Sequence, residues 1–321
     1  MSETNKTAIA APMEFFHELA ACWQALPDKP IFFSLLAAWL ALFQFLGNST
    51  FGYVDTASLF TWLYTAYNAP LSEDGHGNLI PFAVFALLWW RRATLLAVPR
   101  GLWLPALGWL ALALALHVAG YVVQQPRLSV IAFFLGVYAL TGLVWGRAWL
   151  RASGFPFVLF AFCVPLGSLA ESITFPLRLL VAKISVGLSG GLLGMDVMQD
   201  GTRIFNSTRT FNYDVAPACS GIRSLISLLA LTTIYGFMTF EKPWKRLVMV
   251  AVALPLAVLG NLVRLLGIIL VADAFGHEAG AFVEQKFGFV TFAVALGGVL
   301  LLGYWLRESR TLPPPEEAGP A

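Results

Sequence analysis

The chain has 321 residues, of which 58% are hydrophobic and only 12% charged, with a formal net charge of +2. A soluble globular chain is about 45–50% apolar and about 25% charged, so the solvent for most of this one is lipid. The small charge and the lack of a long basic run argue against a nucleic-acid partner, and the wide spacing of Cys22, Cys163 and Cys219 argues against a disulfide framework or a paired-cysteine metal site.

In chain order, residues 1–30 lack a basic stretch leading into an apolar core, and read as a cytoplasmic and interfacial segment rather than a cleaved signal peptide. Phe15, Phe16, Leu19 and Trp23 fall at helical spacing, which predicts a short amphipathic helix on the membrane surface. Apolar blocks follow at 31–47, 79–97, 101–123, 128–146, 154–170, 220–240, 246–273 and 287–306. Each is close to the roughly 20 residues that cross a hydrocarbon core about 30 Å thick. The predicted fold is an all-α polytopic membrane protein with about eight transmembrane helices in one domain over 31–306. The polar, proline-rich 307–321 is predicted to be a disordered cytoplasmic tail.

Basic residues in the connections set the orientation. With the N-terminus inside, the inner connections hold Arg91, Arg92, Arg100, Arg147, Arg151, Lys242, Lys245 and Arg246, and Arg307 and Arg310 follow the last block. The first outer connection, 48–78, contains no basic residue and carries Asp55, Glu73 and Asp74. Both termini are therefore predicted inside and 171–218 outside. Within that outer segment, 171–199 is apolar but punctuated by Arg178, Lys183 and glycines, which predicts interfacial helices; one more full span over these residues is the alternative, and it would reverse the side of everything that follows. Residues 200–214, DGTRIFNSTRTFNYD, alternate and carry turn residues at Asn206 and Ser207, predicting a small β-hairpin ahead of VAPACSG.

Ionisable groups in or at the mouth of membrane spans are costly, so each is a candidate for function. Cys219 and Arg223 open the sixth block, Arg264 lies in the seventh with Asn261 one turn earlier, and His277 follows where that block ends. All fall toward the outer face. A thiolate is stabilised by a helix N-terminus, a cation or an imidazolium, and histidine titrates close enough to neutrality to take and return a proton. Arginine can hold a developing oxyanion or a substrate carbonyl. Together these are the parts for acyl transfer through a thioester. A straight helix over 264–277 would separate Arg264 from His277 by about 20 Å. The reading therefore expects a break at Pro255 or Gly260, with the chain surfacing near Arg264. Taken singly, Cys163 reads as a buried small hydrophobe, His117 as a hydrogen-bonded core residue, and Arg91 and Arg92 as orientation signals.

PACSGIRSL (217–225), NLVR (261–264) and HEAG (277–280) resemble the signature of the exosortase/archaeosortase family. HGNLIPFAVFALLWWRR, from His76, and FPFVLFAFCVPLGS, from Phe155, are similar to that family's first outer loop and mid-chain span. The residues before His76 are SEDG, a departure from the Tyr-Ser the family leads one to expect. The resemblance implies a cysteine transpeptidase of a prokaryotic plasma membrane with its site on the outer face. It implies Cys219 as nucleophile, His277 as general acid/base, Arg264 as oxyanion or substrate stabiliser, and Arg223, Asn261 and His76 in support. It further implies substrates that are secreted proteins ending in a short Pro-Glu-Pro-type motif, a transmembrane helix and a basic tail, an acceptor that is a lipid or glycan, and no cofactor. Two alternatives stand beside it: an intramembrane hydrolase with water as acceptor, and a transporter or lipid-binding scaffold in which Arg264 and His277 contact an anion.

Overall fold

The computed structural model describes residues 4–48, 56–70, 72–208, 211–214, 222–286 and 288–307, which fall into two compact units, 1–167 and 168–321. The predicted disordered tail from 308 onward lies outside the described residues.

The described residues of the first unit form helices and the turns between them. It comprises α1 (Thr4–Ala25), α2 (Lys29–Leu46), α3 (Leu59–Asn68), α4 (Ile80–Trp90), α5 (Arg92–Ala97), α6 (Ala106–Val122), α7 (Pro126–Trp145) and α8 (Arg147–Val158), with 3-10 turns at Gly75–Asn78 and Leu159–Cys163. The buried centre is α7, which packs on α2, α6 and α8. Trp39 of α2 donates its indole N–H to the Phe133 carbonyl at 3.0 Å. His117 of α6 is buried, with Nδ1 2.9 Å from Ser129 Oγ, the hydrogen-bonded core role its sequence context suggests. The amphipathic α1 docks on the second apolar block: Phe15 packs on Trp89, and Glu18 pairs with Arg92 at 2.7 Å. That block bends at Arg91, whose guanidinium donates to the Ala152 carbonyl at 2.9 Å. Both arginines are thus engaged within the fold.

The crossing predicted over 154–170 does not form as a helix. The chain runs from α8 into the 3-10 turn Leu159–Cys163 and then extends. Pro165 explains the change, because a proline's ring disfavours helical backbone in the preceding residue. Val164 accordingly adopts φ −79° and ψ 113°.

The second unit contains α9 (Ser168–Gly191), strands β1 (Met198–Asp200), β2 (Arg203–Phe205) and β3 (Asn212–Asp214), then α10 (Ile222–Thr239), α11 (Pro243–Phe275), α12 (His277–Lys286) and α13 (Gly288–Trp305). Most of the segment read as interfacial helices forms one helix, α9, running through Pro176. Arg178, Ala182, Ser185 and Ser189 repeat along one buried face of it. The predicted hairpin is a three-stranded antiparallel sheet in the order β1-β2-β3, and Asn206 and Ser207 lie in its second connection. Ile204 pairs with Tyr213 across β2 and β3. Both side chains, with Phe211, are buried against Val181 of α9 and Leu265, Ile269 and Ala272 of α11.

The predicted break in the seventh block does not occur. α11 continues for 33 residues through Pro255, Gly260 and Arg264. An internal proline removes one backbone hydrogen bond, which a helix buried among neighbours tolerates. Here α11 packs on α9, α10, α12 and α13. At about 1.5 Å per residue it is roughly 50 Å long, well beyond a hydrocarbon core of about 30 Å. Among the described residues, three helices, α2, α7 and α11, are long and apolar enough to cross a membrane. Shorter apolar helices are Ile80–Trp90, Ala106–Val122, Leu225–Thr239 and Phe292–Trp305.

Candidate active site

Cys219 and the rest of 215–221 lie outside the described residues. Arg223 stands in the first turn of α10, with its side chain also outside them. The site is therefore built from the groups that the second unit arranges around α11 and α12, and from β3, which ends at Asp214, five residues before Cys219.

The junction of α11 and α12 creates the geometry. Gly276 ends α11 with φ +88° and ψ 174°, a backbone conformation that only glycine reaches without strain. Its N–H caps the Ala272 carbonyl at 2.9 Å. The chain then doubles back, so that α12 packs along the last turns of α11. A Cβ built at Gly280 would lie 2.8 Å from the Ala272 Cβ, so only a glycine permits this approach. Further along, Arg264 Nη2 donates to the Glu284 carbonyl at 2.6 Å. That carbonyl is near the end of α12, where it lacks an intrahelical partner, so Arg264 acts as its cap.

This fold-back decides how His277 and Arg264 relate. The straight α11 holds Arg264 about 17 Å below the helix end, and the return of α12 recovers part of that separation. The guanidinium meets α12 at Glu284, still seven residues, or roughly 10 Å of helix, from His277. The two residues thus share one helical hairpin without direct contact. Arg264 is half-buried, and its Nε is buried with no hydrogen-bond partner among the described residues. A buried donor left unmade costs about 1–3 kcal/mol, more for a charged group, so this N–H lacks an acceptor that a ligand could provide.

One turn before Arg264, Asn261 is buried at 5% exposure. It is the polar side chain in a small cleft walled by Leu177 and Val181 of α9, Leu225 of α10, and Leu254, Ala257 and Val258 of α11.

His277 is exposed at the start of α12. The ring of Tyr213, from β3, lies nearly parallel to its imidazole, with centroids 4.8 Å apart and planes at 23°. The Tyr213 hydroxyl also donates to the His277 carbonyl at 2.5 Å. Burial, and secondarily the Glu284 carboxylate, push the Tyr213 phenol above its ordinary range, while the backbone of Ala281 partly opposes this. Tyr213 is a site residue that the sequence reading passed over. Its alternation in FNYD marks it as a strand residue, but only the Ile204–Tyr213 register shows that it faces inward onto α12.

His76 sits in the first unit, in the 3-10 turn Gly75–Asn78, and is described with that unit alone. The SEDG that precedes it has a clear structural use. Asp74 is buried at 4% exposure, and its carboxylate accepts the backbone N–H groups of Leu166 at 3.0 Å and Gly167 at 3.1 Å. Arg127 grips the same segment from its carbonyl side, donating to Pro165 O at 2.7 Å and Leu166 O at 2.9 Å. The hydroxyl of Tyr67 holds the Cys163 carbonyl. These three side chains satisfy the backbone that Pro165 takes out of the helix. Cys163 itself is buried, in keeping with a packing role.

The family model of the transmembrane exosortases (EpsH) matches residues 69–301, nearly three quarters of the chain, and so takes in Cys219, Asn261, Arg264 and His277. No curated protein and no solved structure matches the chain.

Proposed function

The chain is a member of the transmembrane exosortase family, and on that premise we propose that it is a membrane-embedded cysteine transpeptidase that cleaves C-terminal sorting signals from secreted proteins. The signal is a short Pro-Glu-Pro-type motif followed by a transmembrane helix and a basic tail. Both termini are read inside and the site at the outer face of a prokaryotic plasma membrane, as the distribution of basic residues favours.

In this reading the Cys219 thiolate attacks the scissile carbonyl carbon and forms a C–S bond. His277, having taken the thiol proton, returns it to the amine as the C–N bond breaks, and the anchor helix leaves. A lipid or glycan nucleophile then loses a proton to His277 and displaces the sulfur, releasing the thiol. Since about 10 Å of α12 lies between Glu284 and His277, Arg264 serves a different part of the substrate from His277. Its Nε, without an acceptor among the described residues, supplies a donor for a substrate peptide carbonyl away from the scissile bond.

The observation that carries this reading is the contact of Tyr213 with His277. It anchors the strand that leads into the cysteine-bearing connection, six residues before Cys219, directly on the histidine. The test is co-expression of a secreted protein bearing such a signal with the wild type and with Cys219→Ser. Processing is expected only with the wild type, and equal processing by the variant overturns the mechanism. The mass of the new C-terminus separates the two acceptors: an added group means transfer, and a water means hydrolysis.

A further inference from the structure

We propose that Tyr213 is the positioning residue for His277, setting the plane of the imidazole that serves Cys219; this rests on the function proposed above. His277 opens a short helix at the surface, where an exposed imidazole has rotamer freedom that a proton shuttle between thiol and amine cannot use. Tyr213 removes that freedom from two directions. Its ring lies against the imidazole at 4.8 Å between centroids and 23° between planes. Its hydroxyl is tied to the backbone of the same residue through the 2.5 Å bond to the His277 carbonyl.

Three features argue that this is more than packing. Tyr213 is held at its base by the β2–β3 register and by the cluster around Ile204 and Ile269, so it is a rigid reference for a mobile group. Gly280 leaves the space that the phenol occupies, since a Cβ there would lie 2.2 Å from the Tyr213 oxygen. β3, which carries Tyr213, ends five residues before Cys219 in the sequence, so the residue that orients the base lies on the element leading into the cysteine-bearing connection. The charged groups on the elements around His277 are Lys245, Arg246, Arg264 and Asp273 on α11, Glu278, Glu284 and Lys286 on α12, and Asp214 at the end of β3.

The test needs no natural substrate. Iodoacetamide alkylation of Cys219 in the full-length, detergent-solubilised protein is followed against pH by peptide mass spectrometry, for wild type, Tyr213→Phe, Tyr213→Leu, His277→Ala and the Tyr213→Leu/His277→Ala pair. A thiolate paired with an imidazolium alkylates well below the free-thiol midpoint of about 8.5. Tyr213→Leu is expected to move the midpoint toward that value and to cut the rate at neutral pH about tenfold, one unit of midpoint being one decade of thiolate. Tyr213→Phe keeps the ring and stays within about threefold of the wild type, an effect of one neutral hydrogen bond. Adding Tyr213→Leu to His277→Ala produces no further shift, because the two act through one group. A wild-type midpoint in Tyr213→Leu, beside a shifted one in His277→Ala, overturns the positioning role and leaves the proposed function standing. A Tyr213→Leu shift that adds fully to that of His277→Ala also overturns it. A wild-type protein that alkylates as a free thiol, unaffected by His277→Ala, overturns the function and this inference together.

Discussion

Asp74→Ala should destabilise the first unit more than any change at an exposed charge. The Asp74 carboxylate, 4% exposed, accepts two backbone N–H groups, from Leu166 and Gly167, at 3.0 and 3.1 Å. Hydrogen bonds to a charged acceptor contribute about 1.5–3 kcal/mol each, and their loss leaves two buried donors unsatisfied. Discounting for water that enters the vacated space, the truncation costs about 3–4 kcal/mol. For a unit of this size that corresponds to a fall in unfolding temperature of about 6–16 °C. Asp74→Asn retains one acceptor oxygen and should lose about half as much. The assay is intrinsic tryptophan fluorescence during thermal unfolding of the detergent-solubilised protein. Arg127→Met provides an independent check, because it releases the carbonyls of the same segment. A melting temperature within about 1 °C of wild type for Asp74→Ala, against a method that resolves such shifts, would refute the clamp.

Three further outcomes follow from the same structure. Gly280→Ala places a Cβ 2.2 Å from the Tyr213 oxygen and 2.8 Å from the Ala272 Cβ, so it should cost about 1–3 kcal/mol by overpacking and lower signal processing, read as thermal unfolding and product yield. Gly276→Ala forces a side chain onto φ +88° at the α11–α12 turn and should cost about 1–3 kcal/mol by the same melting assay. The Tyr213 phenol, raised by burial and by Glu284, binds its proton more tightly in the folded state. Its contribution to stability is therefore complete below the unfolded value of about 10 and is lost as pH rises above that toward the folded value. The tyrosinate absorbance of wild type minus Tyr213→Phe should develop only above about pH 10, and titration below that would contradict the assignment.

Much of the helical content is legible in the sequence, because long apolar runs need only hydropathy to be seen. The same holds for residues whose role is fixed by burial alone, such as His117 and Cys163. What hydropathy does not see is where an apolar run is broken or continued by tertiary hydrogen bonds. FVLFAFCVPL scans as a crossing, yet the α-helix stops at Val158, Pro165 holds Val164 extended, and Asp74 and Arg127, some 90 and 40 residues away in the chain, satisfy the backbone that follows. The converse holds at Pro255 and Gly260, where α11 continues through residues that read as break points because its neighbours support it. Arg178 illustrates a third limit. Its charge suggests an interfacial helix, while the structure buries it at 5% exposure on the inner face of α9. In the candidate site, Arg264, Asn261 and His277 could be named from the sequence because each is costly in an apolar setting. Tyr213 could not, because an aromatic residue in a strand is ordinary until the register shows which way it faces.

The central claim is a covalent intermediate on Cys219. Its most direct test is the intact mass of the enzyme, purified under acid quench after co-expression with a secreted protein that ends in the sorting signal. The account predicts an added mass equal to the substrate's N-terminal portion, carried by the peptide containing Cys219, released by neutral hydroxylamine and absent in Cys219→Ser. Processed substrate accumulating with no hydroxylamine-sensitive adduct, and at the same rate in Cys219→Ser, would contradict it.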